Sequence, residues 1–407
     1  MVDQHMRARI PILVAMVLIA ACQSQTPSAS PAPSASEPAS AGPSQSASAS
    51  ASPTFTPWSQ TASFNEPGGF SVVNALAHGT AGVVAVGTQF DAPLPNLGPL
   101  PPHEGRVWLS NDGLQWQDVT PTGVFGSVSL DHAVAAPNGS FVVFGFGPDT
   151  RAWTSPDGQA WTEFPSPFPA GAFVFDVASG VQGYLAQVQV TFHQLWFSSN
   201  ATAWMQTHSF TDETVAIGAG DEGFVAGGAH YPGGVAGPPY AIASSDGSTW
   251  FNASAPPAPP LGARAVAPVA GDWYALPSGQ TSSGFSSTAA TWFSVDGLQW
   301  SNIGSLPLNS VPAGPTTCHE YVRALHGSTP WLVANTALSG PCSEGGFIVH
   351  GTQRSSQDGV TWMDLPFPTG TLGTTGSGSS VNATIVVNGV LVLAGQSNSS
   401  ATFWVGE

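Results

Sequence analysis

The chain has 407 residues, only 8% of them charged, and a formal net charge of −17. It contains no lysine, and beyond its first ten residues the only cations besides histidine are Arg106, Arg151, Arg264, Arg323 and Arg354. So sparse a set excludes binding nucleic acid or anionic lipid through a basic surface, which needs clustered Lys and Arg.

In chain order, Arg7 and Arg9 precede an apolar run from Ile10 to Ala21. The run is too short to span a bilayer and has the form of a secretory leader, placed at residues 1–21. It ends Ile19-Ala20-Ala21-Cys22, which resembles a bacterial lipobox. The resemblance implies that Cys22 is acylated and that more than one chain anchors the protein firmly to a membrane. An ordinary signal peptide followed by a chance cysteine is the alternative. Residues 22–53 are almost entirely Ser, Ala and Pro, a composition that cannot bury a core and predicts a disordered tether.

Residues 54–407 are built from repeats of roughly 50 residues, the mark of a repeat architecture. Five copies of Ser-x-Asp-Gly-x-x-Trp run from Ser110 to Trp116, Ser155 to Trp161, Ser244 to Trp250, Ser294 to Trp300 and Ser356 to Trp362. Their acids are Asp112, Asp157, Asp246, Asp296 and Asp358, and a decayed copy runs from Ser198 through Asn200 to Trp204. Each repeat reads as two apolar strands joined by a turn, as in Val72–Ala77 and Val83–Gly87. A third strand follows, such as Arg106–Ser110, and then an Asp-Gly hairpin leads into a fourth strand that carries the Trp. No segment has helical periodicity, so the expectation is an all-β protein of radially arranged four-stranded antiparallel blades.

The last repeat stops at Thr402–Val405, which matches a third strand. The missing fourth strand reappears near the N-terminus as Thr54 to Gln60, with Trp58 in the place of Trp116 and Pro57 tolerable on an outer edge. Seven blades are therefore expected, the last closed by the N-terminal strand.

The motif resembles the BNR/Asp-box repeat of sialidase-like propellers over nearly all of residues 54–407. In that family the boxes lie on the face away from the active site, which implies a structural role for these Asp and Trp residues. Asp would bond nearby backbone N–H groups, Gly would take the positive φ, and Trp would pack beneath. In this chain Asp and Gly are adjacent, one residue closer than in the usual box. A sialidase also needs an arginine triad, and a glycosidase two carboxylates facing one bond. Only Arg264 and Arg323 fall on expected inner strands, and the only Arg-Ile-Pro lies in the leader.

The ten histidines show no zinc spacing, so neither a metal nor a cofactor is expected. Cys318-His319-Glu320 can be read as a metal or thiol site, or Cys318 can pair with Cys342 as a disulfide in an oxidising compartment. The longest loops join second to third strands, at Gln89–Gly105, His230–Pro239, Ser278–Ala289 and Leu338–Val349. They predict a ligand face carrying Phe90, Asp91, His103, Glu104, His230, Tyr231, Tyr240 and Phe285, with Arg264 and Arg323 near the axis. The expected function is that of a lipid-anchored, non-enzymatic, monomeric propeller binding a glycan or protein partner. The alternatives are a divergent glycan-cleaving enzyme or an extracytoplasmic assembly factor, and fold does not choose among them.

Overall fold

The computed structural model describes residues 58–64, 68–92, 101–210, 213–230, 239–253, 263–277, 280–281, 284–313, 316–339, 349–350, 352–365 and 380–406. The expected leader (1–21), Cys22 and the tether (22–53) lie outside these residues, as do Pro57, Tyr231 and Cys342.

The described residues form seven antiparallel blades within one compact unit, Thr54–Glu407. Blade one is Phe70–Gly79, Gly82–Phe90, His103–Ser110 and Gln117–Asp118. Blade two is Ser129–Ala135, Phe141–Phe146, Thr150–Ser155 and Thr162–Phe164. Blade three is Phe173–Gly180, Gly183–Gln189, His193–Ser198 and Met205–Ser209, and blade four is Glu213–Gly220, Gly223–His230, Pro239–Ser244 and Phe251–Asn252. Blade five is Ala263–Val269, Asp272–Pro277, Thr288–Ser294 and Ser301–Pro307. Blade six is Thr316–Ser328, Trp331–Ser339, Gln353–Ser356 and Met363–Leu365, with Ser310–Ala313 added along its first strand.

Blade seven is Ser380–Val387, Val390–Ser397 and Ser400–Gly406, completed by Ser59–Phe64. Gln60 pairs with Trp404 and Phe64 with Ala401, so the N-terminal strand closes the ring. The first strands of neighbouring blades touch around the whole circuit, including blade seven against blade one.

The core sits between blades. Each of the seven junctions holds its own cluster of buried apolar side chains among the described residues. Trp108 and Trp116 of blade one meet Val392 and Phe403 of blade seven, and Trp116 stacks on Phe403 at 4.0 Å. At the next junction Phe125 packs edge-on to Trp153 and Trp161. Burial of these large rings between sheets is the main force closing the ring.

The Ser-x-Asp-Gly turn has one geometry throughout. Asp112 Oδ1 accepts the N–H groups of Leu114 and Gln115 at 2.8 and 3.0 Å, and Gly113 N–H donates to Ser110 Oγ at 2.8 Å. Trp116 Nε1 donates to the Gly113 carbonyl at 3.0 Å, and Gly113 has a φ of 79°. The same acceptor pattern recurs at Asp157, Asp246, Asp296 and Asp358, and at Asn200 in the decayed copy. Backbone N–H donation holds the carboxyls of Asp112, Asp157 and Asp246 below the usual range.

One detail differs from the sequence reading. Trp116, Trp161, Trp204, Trp250, Trp300 and Trp362 close the turn just before the fourth strand and are not members of it. The turn needs the Trp as its last residue, because in most copies the indole N–H caps the glycine carbonyl.

Candidate functional site

Because strands alternate up and down, every first strand starts, and every second strand ends, on the face that carries the long loops. The Asp-Gly turns lie on the opposite face. Near the long-loop end, six first strands carry a β-bulge at the matching place. The bulged residues are Asn74, Asp131, Phe175, Arg264, Arg323 and Asn382. The first strand of blade four pairs without one. A bulge re-aims a side chain out of the ladder, so this ring of bulges decides what faces the axis.

Around part of the ring, polar side chains stitch one blade to the next. Asn382 Nδ2 donates to the Val73 carbonyl at 2.8 Å, and Asn74 Nδ2 donates to the Leu130 carbonyl at 2.9 Å. His132 Nε2 donates to the Val174 carbonyl at 3.1 Å. A carbonyl only accepts, so His132 carries its proton on Nε2, and burial lowers its pKa to about 4. Asp131 accepts from Ser129 Oγ at 2.7 Å, and burial raises its carboxyl to about 6.

An axial cavity of about 360 Å³ opens among the first strands of blades three to seven. Its walls are mostly small or aliphatic, such as Ala178, Ile217, Ala265 and Ile385, and its polar groups include Asp176, Arg323, His326 and Thr384. Desolvation against the cavity walls raises the carboxyl of half-buried Asp176 to about 7 and lowers the Arg323 pKa, while much of the Arg323 side chain stays open to solvent. His326 takes a hydrogen bond from Asn335 at 3.2 Å, and burial brings its pKa to about 4.

On the rim of the long-loop face, Phe146, Phe173 and Phe175 are 39%, 36% and 42% exposed. They stand in file across blades two and three. Phe146 meets Phe173 at 5.1 Å, Phe173 meets Phe175 at 4.8 Å, and Phe175 meets His193 at 5.0 Å, all edge to face. Phe192, in the adjoining loop, is also exposed.

The residues expected on the ligand face fare unevenly. Phe90 is buried, because the second strand of blade one runs on to it and its ring packs between Phe70 and His103. His103 begins the third strand and is half-buried. Tyr240 lies in a third strand, half-buried against Phe210. Phe285 is exposed and stacks on His319 at 4.7 Å. Arg323 reaches the cavity, whereas the side chains of His230 and Arg264 fall outside the description.

Cys318, His319 and Glu320 do not converge. His319 meets Phe285 and Ser310, while Glu320 is buried against Arg354 at 3.0 Å. Cys318 is fully buried and disulfide-bonded, with its partner outside the described residues. Cys342, the partner expected from the sequence, lies outside the described residues. Among the described residues no three His, Cys, Asp or Glu side chains gather as a metal site.

Sequence reasoning missed the phenylalanine file and Asp176. A signal existed in the alignment of the repeats: Phe173-Val-Phe175 stands where blades one and two have Val72-Val-Asn74 and Ser129-Leu-Asp131.

No family model matches the chain, and no curated protein matches it. The sialidase-like, BNR/Asp-box and lipoprotein assignments drawn from the residues therefore find no support in these comparisons. The adjacency of Asp and Gly and the lack of a described arginine triad agree with that finding. Solved structures similar in fold include two of the same protein. YCF48 from Cyanidioschyzon merolae has a TM-score of 0.48 and 12% identity, covering 86% of this chain and 99% of that one. YCF48 bound to D1 peptide has a TM-score of 0.47 and 12% identity, covering 86% and 95%. At that distance neither bears on what this chain binds.

Proposed function

We propose that this propeller is a non-enzymatic docking module that holds a protein partner on its long-loop face, in the manner of an assembly factor. The observation that carries the reading is the file Phe146–Phe173–Phe175. Singly exposed apolar residues are ordinary on a protein surface, but contiguous ones mark an interaction site. These three are mounted on rigid strands beside the axial mouth, where little ordering is needed on binding. The basic start and apolar run of residues 1–21 support an extracytoplasmic setting.

Glycan cleavage is the weaker reading. It needs two carboxylates on opposite sides of one bond. Among the described residues lining the axial cavity, Asp176 is the one carboxylate.

The test is site-specific crosslinking in the native host, with a photoreactive phenylalanine at position 173 and, as a control, at exposed Val360 on the opposite face. Discrete protein adducts are expected at 173 only, and Phe175→Ser should remove them. Equal adduct patterns at both positions would sink the docking reading.

A further inference from the structure

The axial cavity poses a problem separate from the rim. Three polar groups line it without a partner suited to them. Asp176 accepts one hydrogen bond, from the Val177 N–H at 2.8 Å, and forms no ion pair among the described residues. Arg323 forms neither an ion pair nor a hydrogen bond there. Thr384 is 7% exposed, and its hydroxyl has no hydrogen-bond partner. All three belong to the same cavity, Asp176 on blade three, Arg323 on blade six and Thr384 on blade seven. In a ring of seven, blades three and six face each other across the axis, while six and seven are neighbours.

An unpaired hydroxyl in a protein interior is costly, and the half-buried Asp176 carboxylate and the exposed Arg323 guanidinium open onto the same space as Thr384. Native structures rarely keep such groups without a use, and a concave apolar space with a few convergent polar groups is the usual form of a small-ligand site. The charges are opposite and lie on different blades of the same cavity. They do not pair with each other, so the carboxylate and the guanidinium remain available to the two ends of a single guest.

We propose that the axial cavity binds a short peptide of small apolar residues as a zwitterion, its α-ammonium on Asp176 and its carboxylate on Arg323 and Thr384. The guanidinium offers a fork of donors suited to a carboxylate, and the Thr384 hydroxyl adds one more. The walls, mostly alanine and aliphatic residues, offer an apolar surface to small side chains. A cavity of about 360 Å³ is at the small end for ligand sites, and an extended dipeptide or tripeptide spans roughly 7–11 Å. Desolvation works against ionisation of Asp176, so a cationic group beside it would favour the carboxylate. This inference does not depend on the phenylalanine rim.

Calorimetry on the full chain tests it, using di-, tri- and tetra-alanine as probes beside N-acetyl-trialanine and trialanine amide. At least one free peptide should bind, and blocking either end should weaken binding tenfold or more. Asp176→Asn should abolish the penalty for N-acetylation, and Arg323→Gln the penalty for amidation. Thr384→Val should weaken the free peptide several-fold and leave the melting temperature at or above that of the parent. Melting curves of all three variants separate lost binding from lost fold. If no free alanine peptide binds, or if blocked and free forms bind alike, the proposal is wrong. Retained docking at position 173 in these variants would show that the rim function stands regardless.

Discussion

At the scale of single residues, the turn glycines answer two demands at once. Gly297 has a φ of 70°, and a Cβ there would lie 2.6 Å from Val225 of the preceding blade. Left-handed backbone costs an L-residue about 1–2 kcal/mol, and overpacking adds about 1–3. Gly297→Ala should therefore lose roughly 2–4 kcal/mol in denaturant unfolding. The decayed copy shows the converse, with Ala201 at a φ of 68°. Ala201→Gly should stabilise by about 0.5–1 kcal/mol despite the added chain entropy, and a lower midpoint would contradict the turn argument.

Asp176 provides a pH test at the same scale. Its carboxyl is raised to about 7, so the unfolded chain ionises first as pH rises from about 4. Folding then loses stability progressively up to about pH 7, and the penalty is complete above it. Asp176→Asn should be more stable than the parent at pH 8 by on the order of 1–3 kcal/mol. The difference should shrink toward zero by pH 3, as followed by thermal melts across pH.

At the scale of elements, blade six is tied internally by a buried ion pair. Arg354 and Glu320 are 1% and 2% exposed and 3.0 Å apart, whereas Asp364, on the other side of Arg354, is 65% exposed. Glu320 also accepts the Asn309 N–H at 2.7 Å and the Thr336 hydroxyl at 3.1 Å. Glu320→Gln leaves a buried guanidinium short of charge and should cost about 3–5 kcal/mol. Asp364→Asn should cost less than about 1 kcal/mol. Similar losses in the two variants would show that the pair is not desolvated in solution. This bracket was invisible in the sequence, where Arg354 is merely a residue before a box and Glu320 the end of a suspected metal triplet.

At the scale of the whole molecule, the ring is closed by one strand from the far end of the chain. Deleting residues 59–64 uncovers Phe403 and Trp404, both fully buried, and leaves Ser400–Gly406 as an unpaired edge. Such an edge templates association. The truncated chain should melt at least several degrees lower and run as oligomers in size exclusion. A monomer of unchanged melting temperature would mean that the strand is not a structural member.

Strand period, the Asp-Gly turns and the displaced fourth strand at Trp58 were legible in the chain itself. They are local rules that recur from blade to blade, and repetition averages out local ambiguity. Blade number and mode of closure follow from counting, which needs no coordinates. What the tertiary structure alone decided is what the ring places at its axis and rim. The bulges at Phe175 and Arg323 re-aim single side chains, and a bulge depends on pairing with a neighbouring strand that sequence spacing does not report. Phe90 and Phe175 look alike in the sequence, yet one is walled in by Phe70 and His103 and the other stands on the rim. Exposure is a property of the neighbours a residue meets through space, and those come from other strands and other blades.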